Sequence, residues 1–148
     1  MEPLVTIRQL EPEQVMLAFP LVREAVGGVT PDDWQDTASK LTGGGAETEA
    51  PGGIVVAERN GFPRALFTYE ITDLLAPERQ LLVRNLVVME FVKRAEAARV
   101  LFDHMDVLAN KYSCARVHVD LPKVSAWVRK NWEELARDEL DIPFTCSD

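Results

Sequence analysis

A chain of 148 residues, 47% apolar and 27% charged, has the size and composition of one globular domain built on a single hydrophobic core. Its formal charge of −8 and pI near 4.8 argue against nucleic-acid binding, which relies on clustered Lys and Arg, and the lack of any long uncharged apolar run argues against a membrane span. The start, Met1-Glu2-Pro3-Leu4, has no basic segment followed by an apolar one, so the cytoplasm is the expected location. An acidic field suits a cationic substrate such as an amine, although acidity is also a common solubility device.

Leu4 to Leu10 alternates with period two and reads as a first strand. A helix is expected from Pro12, with Val15, Phe19, Val22 and Val26 on one side and Pro20 kinking or shortening it. After Gly27-Gly28, Thr30-Pro31-Asp32-Asp33 supplies a hydroxyl cap, a proline at the first helical position and two acids for the positive helix end. That second helix runs through Trp34, Ala38 and Leu41 to Gly43-Gly44-Gly45, and the stretch to Gly53 reads as a mobile surface loop.

Ile54 to Arg59, Asn60-Gly61 and Arg64 to Thr72 form a predicted hairpin, because Asn-Gly supplies the positive φ angles of a tight turn. Arg79 to Met89 is almost continuously apolar and reads as a central strand covered on both faces. Lys93 to Tyr112 is the clearest amphipathic helix, followed by a strand at Ala115 to Leu121. A final helix carries Val124, Trp127, Val128, Trp132 and Leu135, and Asp141 to Cys146 can add a last strand. The tryptophan pair suits core packing or the face of a homodimer.

The predicted fold class is therefore α/β (α+β), with a mixed central sheet flanked by helices in the order β-α-α-β-β-β-α-β-α-(β), spanning residues 1–148 as one domain. The strand, helix, strand stretch from Leu81 to Leu121 requires a parallel pair joined by a crossover.

This order, together with Asn85-Leu86-Val87-Val88 at a strand end and Val92-Lys93-Arg94-Ala95-Glu96-Ala97 leading into a helix, resembles the GNAT superfamily of acyl-CoA-dependent N-acyltransferases. The resemblance covers about Val5 to Phe144, and Val100-Leu101 fall at the family's usual hydrophobic pair. It implies that acetyl-CoA or another acyl-CoA, as co-substrate, is held by Leu86, Val87, Val88, Val92, Lys93, Arg94, Ala95, Glu96, Ala97 and Ala98. Independently of the family, a loop entering a helix is a ready anion site, since the first N–H groups are unpaired and the helix end is partly positive.

The chain departs from the family's (Gln/Arg)-x-x-Gly-x-(Gly/Ala) loop at two positions: Val92 stands for Gln/Arg and Ala95 for the first glycine. Alanine keeps its N–H donor but adds a methyl on the side where phosphate approaches. Ala65 stands where a glycine is frequent, and Val124 to Leu140 contains no tyrosine to protonate a departing thiolate.

By the family's pattern the oxyanion donor is a backbone N–H near Val87 or Val88, and Glu70 and Asp120 are the acids nearest the expected cleft. Each acid also reads as an ordinary strand carboxylate, and catalytic side chains stay unassigned. His104, His118, Tyr69 and Tyr112 read as structural. Cys114 and Cys146 show neither CxxC nor Cys/His spacing and read as reduced thiols, with no metal site. The expected activity is acyl transfer to a small-molecule or protein amine. Its rival is a catalytically inactive domain that binds CoA or serves protein interaction or dimerisation.

Overall fold

The computed structural model describes residues 6–42, 52–73, 79–89, 94–137 and 142–147. The Gly43 to Pro51 part of the predicted loop, and Val92 and Lys93 of the predicted phosphate loop, lie outside them. One six-stranded sheet runs in chain order: β1 (Thr6–Gln9), β2 (Gly52–Arg59), β3 (Phe62–Asp73), β4 (Arg79–Val88), β5 (Arg116–Asp120) and β6 (Phe144–Ser147). Pairing is antiparallel from β1 to β4 and parallel from β4 to β6. The mixed sheet, the parallel pair around the long helix and the terminal strand all match the expectation.

Between β1 and β2 the predicted first helix is in two parts, a 3-10 stretch at Pro12–Ala18 and α1 (Phe19–Ala25). Pro20 lies in the first turn of α1, where its missing N–H costs nothing, so the proline restarts the helix instead of kinking its middle. Helix α2 (Pro31–Thr42) begins on a reciprocal cap: Asp33 N–H donates to Thr30 Oγ1 at 3.0 Å, and Thr30 N–H donates to Asp33 Oδ2 at 3.3 Å. The hairpin turn has Asn60 at φ 55° and Gly61 at φ 81°, the positive pair that Asn-Gly foretells.

Strand β2 starts two residues earlier than its apolar run, because Gly52 and Gly53 are strand residues. A Cβ on Gly52 would stand 2.9 Å from the Tyr69 carbonyl oxygen, and one on Gly53 would stand 2.6 Å from Gln9 Oε1 and 3.0 Å from Tyr69 Oη. These glycines let β1, β2 and β3 close on the Gln9 Nε2 to Tyr69 Oη hydrogen bond of 3.1 Å.

Helix α3 (Arg94–Lys111) covers one sheet face, burying Ala97, Leu101, Phe102 and Met105 against Phe67, Leu81, Val83, Val117 and Val119. The other face is covered by α1 and α2 over Ile54, Val56, Leu66 and Val87. Trp34 fixes that layer, since its Nε1–H donates to the Val15 carbonyl at 2.7 Å from a buried position. Contrary to the expectation for a fully covered central strand, Leu82 is half-buried and Arg84 exposed. The predicted last helix is also two, α4 (Ala126–Lys130) and α5 (Trp132–Arg137). The break falls at Asn131, the C-cap of α4, whose backbone N–H and side-chain Nδ2 both donate to the Trp127 carbonyl, at 3.1 and 2.8 Å.

Two measurements check this packing. Gly53→Ala should lower stability by about 1–3 kcal/mol through overpacking, read as a lower urea midpoint at unchanged slope. His104 is held below its ordinary 6.5, first by burial and then by nearby Lys111. A lowered histidine contributes stability above the unfolded value that is lost as pH falls through the folded one. The urea midpoint of the wild type should therefore drop more between pH 7 and pH 5 than that of His104→Gln.

Candidate functional site

The site begins with an irregularity in β4. Leu66 pairs with Val87 and Thr68 with Arg84, so Phe67 faces two residues of β4, Asn85 and Leu86. Asn85 takes a φ of 56°, a left-handed conformation that asparagine enters more readily than most residues because its short side chain bonds locally. Here the bond is across the sheet: the Thr68 hydroxyl lies 2.8 Å from Asn85 Oδ1 and 3.1 Å from the Arg84 carbonyl, its one proton between them. Because the bulge adds one residue, the inward positions change parity. Leu81 and Val83 face α3 before it, Leu86 and Val88 after it.

The bulge also ends the parallel pairing. Strands β4 and β5 pair from Gln80↔Arg116 to Val83↔Val119, and beyond Val83 the outer edge of β4 has no strand partner among the described residues. β5 instead turns at Leu121–Lys123 and enters α4. Met89 N–H donates to the Arg64 carbonyl of β3 at 2.7 Å. By strand alternation Val87 N–H also points toward β3, and Val88 N–H points into the split between β4 and β5. Leu86 uses the same outer edge, where its carbonyl accepts from Ser125 N–H at 2.9 Å. Of the two positions proposed for an oxyanion donor, the register therefore favours Val88.

The head of α3 lies over this edge. Ala97 and Ala98 are fully buried in the same cluster as Leu86 and Val88, whereas Ala95 and Glu96 are exposed. The methyl of Ala95 thus stands on the outer side of the helix, and the N–H groups of the first turn have no intrahelical acceptor. The Arg94 guanidinium lies 5.3 Å from the ring centre of Trp127, so a cation from α3 reaches across the mouth of the split to α4. Of the predicted group, Leu86, Val88 and Arg94 to Ala98 come together; the Val87 side chain belongs to the opposite face.

On that opposite face a pocket of about 160 Å³ opens beside the bulge, lined by Thr37 and Lys40 of α2, Glu70 of β3, and Leu82, Arg84 and Asn85 of β4. Both acids singled out from the sequence meet one cation here. Arg84 Nη1 donates to Glu70 Oε1 at 2.7 Å, and Arg84 Nε lies 3.5 Å from Asp120 Oδ2. His118 is outside this cluster, with Nδ1 2.7 Å from Thr145 Oγ1. Tyr69 is packed in the core and held above its ordinary value, chiefly by burial. Trp132 packs against Phe102 with ring centres 5.9 Å apart, as core. No group of three or more His, Cys, Asp or Glu able to hold a metal occurs among the described residues, and none of their helices is long and apolar enough to cross a membrane.

Arg84 and Ser125 were not singled out from the sequence, and Asn85 only as the first residue of the strand-end pattern Asn85-Leu86-Val87-Val88. An asparagine inside an apolar run is the one legible signal among them, since strands disfavour it except at bulges. Asn85→Val should destabilise the fold by about 1–2 kcal/mol through the left-handed backbone, whereas Asn85→Gly should cost less. A urea titration of both variants checks this, and equal losses would mean that the side-chain bond to Thr68 outweighs the backbone.

No protein-family model and no curated protein sequence matches the chain. Solved structures do match along nearly its whole length. Aminoglycoside N-acetyltransferase AAC(6')-Iy in complex with CoA superposes with a TM-score of 0.73 at 12% identity, over 95% of this chain and 92% of that one. Glucosamine-6-phosphate N-acetyltransferase from Arabidopsis thaliana gives 0.66 at 16% identity, over 95% of each chain. A predicted acetyltransferase from Clostridium acetobutylicum with acetyl-CoA gives 0.66 at 13%, over 93% and 92%. Identities this low speak for architecture alone: the chain has a GNAT-like acyltransferase fold.

Proposed function

We propose that this protein is an acyl-CoA-dependent N-acyltransferase, most simply an acetyltransferase, acting on a small-molecule or protein amine. The observation that carries the reading is the outer edge of β4 at Val88, which has no strand partner among the described residues and packs in one cluster with Ala97 and Ala98 at the head of α3. A strand edge offers alternating N–H and C=O groups that suit the amide-bearing arm of an acyl-CoA, and the α3 end suits its phosphates. The reading is supported by likeness to structures solved with CoA or acetyl-CoA. In it, Val88 and Ala95 to Ala97 contribute backbone groups, and Arg94, with Lys93, contributes positive charge.

Acyl transfer from a thioester needs a deprotonated amine and a donor aimed at the oxygen that becomes negative. Val88 N–H is that donor in this proposal, held in place by β3 and requiring no particular side chain. The amine enters from the face bearing Glu70, Arg84 and Asp120. Glu70 and Asp120 flank Arg84, and the Lys40 of the same pocket is paired with Asp36 at 3.3 Å, so the face keeps an excess of carboxylate that favours a cationic acceptor, and in this reading Glu70 receives its proton. The neighbours include aminoglycoside N-acetyltransferases, in keeping with an amine acceptor.

A second reading, a module without catalysis, is favoured by an exposed apolar strip. Leu17 and Phe62 are 61% and 64% exposed and flank a groove with Pro20 and Met89. Turnover separates the two.

Millimolar acetyl-CoA should raise the melting temperature by several degrees, and no shift at that concentration would remove the acyltransferase reading. Release of free thiol with a panel of amines should follow, with Glu70→Gln lowering the rate roughly 10²–10⁴-fold if Glu70 is the base. Binding without thiol release would favour the module.

A further inference from the structure

The groove that Leu17 and Phe62 flank has a volume of about 360 Å³, near the lower end of the roughly 300–1,000 Å³ of small-molecule sites. Three parts of the fold meet there, at the hairpin end of the sheet. Leu17 comes from the 3-10 stretch and Pro20 from α1, Phe62 and Arg64 from the start of β3, and Met89 from the residue after β4. In a 3-10 turn every third residue falls on the same side, so with Val15 and Ala18 buried against the sheet, Met16 and Leu17 face outward. Met16, Leu17 and Phe62 are three of the four large apolar side chains left exposed among the described residues. Exposed apolar side chains gathered in this way, unlike a single one, mark a binding surface.

Arg64 says what such a surface receives. It is half-buried and is the one charged residue of the lining, whose other side chains are leucine, proline, phenylalanine and methionine. Arg8 and Arg84 are held by carboxylates. Arg64 forms no ion pair with a described residue, and its Nε is covered and has no hydrogen-bond partner. A guanidinium set against apolar walls loses hydration and gains nothing in return until an anion meets it. Its backbone is fixed, since the Arg64 carbonyl accepts from Met89 N–H at 2.7 Å, so the charge hangs from a rigid strand beside the groove.

We infer that this groove binds a small monocarboxylate with an apolar body, its chain lying between Leu17 and Phe62 and its carboxylate on the Arg64 guanidinium. A single arginine matches a singly charged carboxylate, which it can meet with two parallel N–H donors. A phosphate dianion would need further donors, and no other lining side chain carries an N–H or O–H. A second copy laid groove to groove about a two-fold axis would bring two arginines to a lining that holds no acid. The groove shares no lining residue with the pocket at Glu70, and the inference does not rest on the acyltransferase reading.

The test titrates octanoate into the full chain by calorimetry, with octylammonium and 1-octanol as the same chain carrying the opposite charge and none. Octanoate should bind with a Kd of about a millimolar or tighter, and octylammonium at least about tenfold more weakly. Arg64→Gln should weaken octanoate about tenfold or more and leave octanol unchanged, with Arg64→Lys losing less. Phe62→Ser, at a side chain 64% exposed, should keep the wild-type melting temperature and weaken octanoate and octanol alike. Equal affinity of wild type and Arg64→Gln for octanoate, octylammonium binding as well as octanoate, or no octanoate binding at about ten millimolar would overturn the assignment. So would a dimer in sedimentation that Phe62→Ser abolishes, which would give the groove to a second copy. None of these measurements involves acetyl-CoA, so their failure leaves the acyltransferase reading untouched.

Discussion

The extra residue in β4 is the constraint on which the rest depends. Asn85 turns left-handed where a regular strand would carry on, and three consequences follow from that one dihedral. The side-chain parity of β4 reverses, so that Leu86 and Val88 pack beneath α3 in continuation of Leu81 and Val83. The parallel ladder with β5 stops at Val83↔Val119. The edge beyond it offers its peptide groups to the split, one of them already taken by Ser125 N–H. A straight β4 would pair with β5 throughout and leave no opening.

The sheet also divides its labour by face. The α3 side is apolar without interruption from Val55 to Val119, which makes it the rigid support for the helix whose first turn overlooks the split. The other side is covered only partly. Ile54, Val56, Leu66 and Val87 lie under α1 and α2, whereas Glu70, Leu82, Arg84 and Asp120 continue the same face in the open. Charged groups therefore collect beside the bulge without being forced into the core, where their desolvation would be costly. The bulge joins the two surfaces, since Asn85 lines the polar pocket while its neighbour Leu86 belongs to the α3 side.

Much of this was legible in the sequence because it rests on local chemistry. The Thr30 cap, the Asn60-Gly61 turn, the alternation in β1 and the long stripe of α3 each follow from a few adjacent residues, and the order they establish leads to the fold. What was not legible depends on contacts far apart in the chain. Gly52 and Gly53 read as loop because the reason for them, the approach of Gln9 and Tyr69, lies in two other strands. The apolar run of β4 hid the open face at Leu82 and Arg84, since hydropathy does not say where α2 ends. Glu70 and Asp120 were visible as acids, but their common tie to Arg84 needed the register of three strands. Ser125 gave no signal, because its N–H reaches Leu86 in a distant strand. The break at Asn131 was hidden as well, since the apolar periodicity runs through it.

Backbone hydrogen exchange of the free and acetyl-CoA-saturated protein tests the central claim most directly, because it reads individual amides at the split. If the outer edge of β4 and the head of α3 receive the acyl-CoA, the amides of Val88 and of Ala95 to Ala97 should gain protection of at least about tenfold, corresponding to about 1.4 kcal/mol, while those of the β2–β3 hairpin stay unchanged. Unchanged exchange at Val88 and at the head of α3, with protection arising elsewhere or nowhere, would contradict the account.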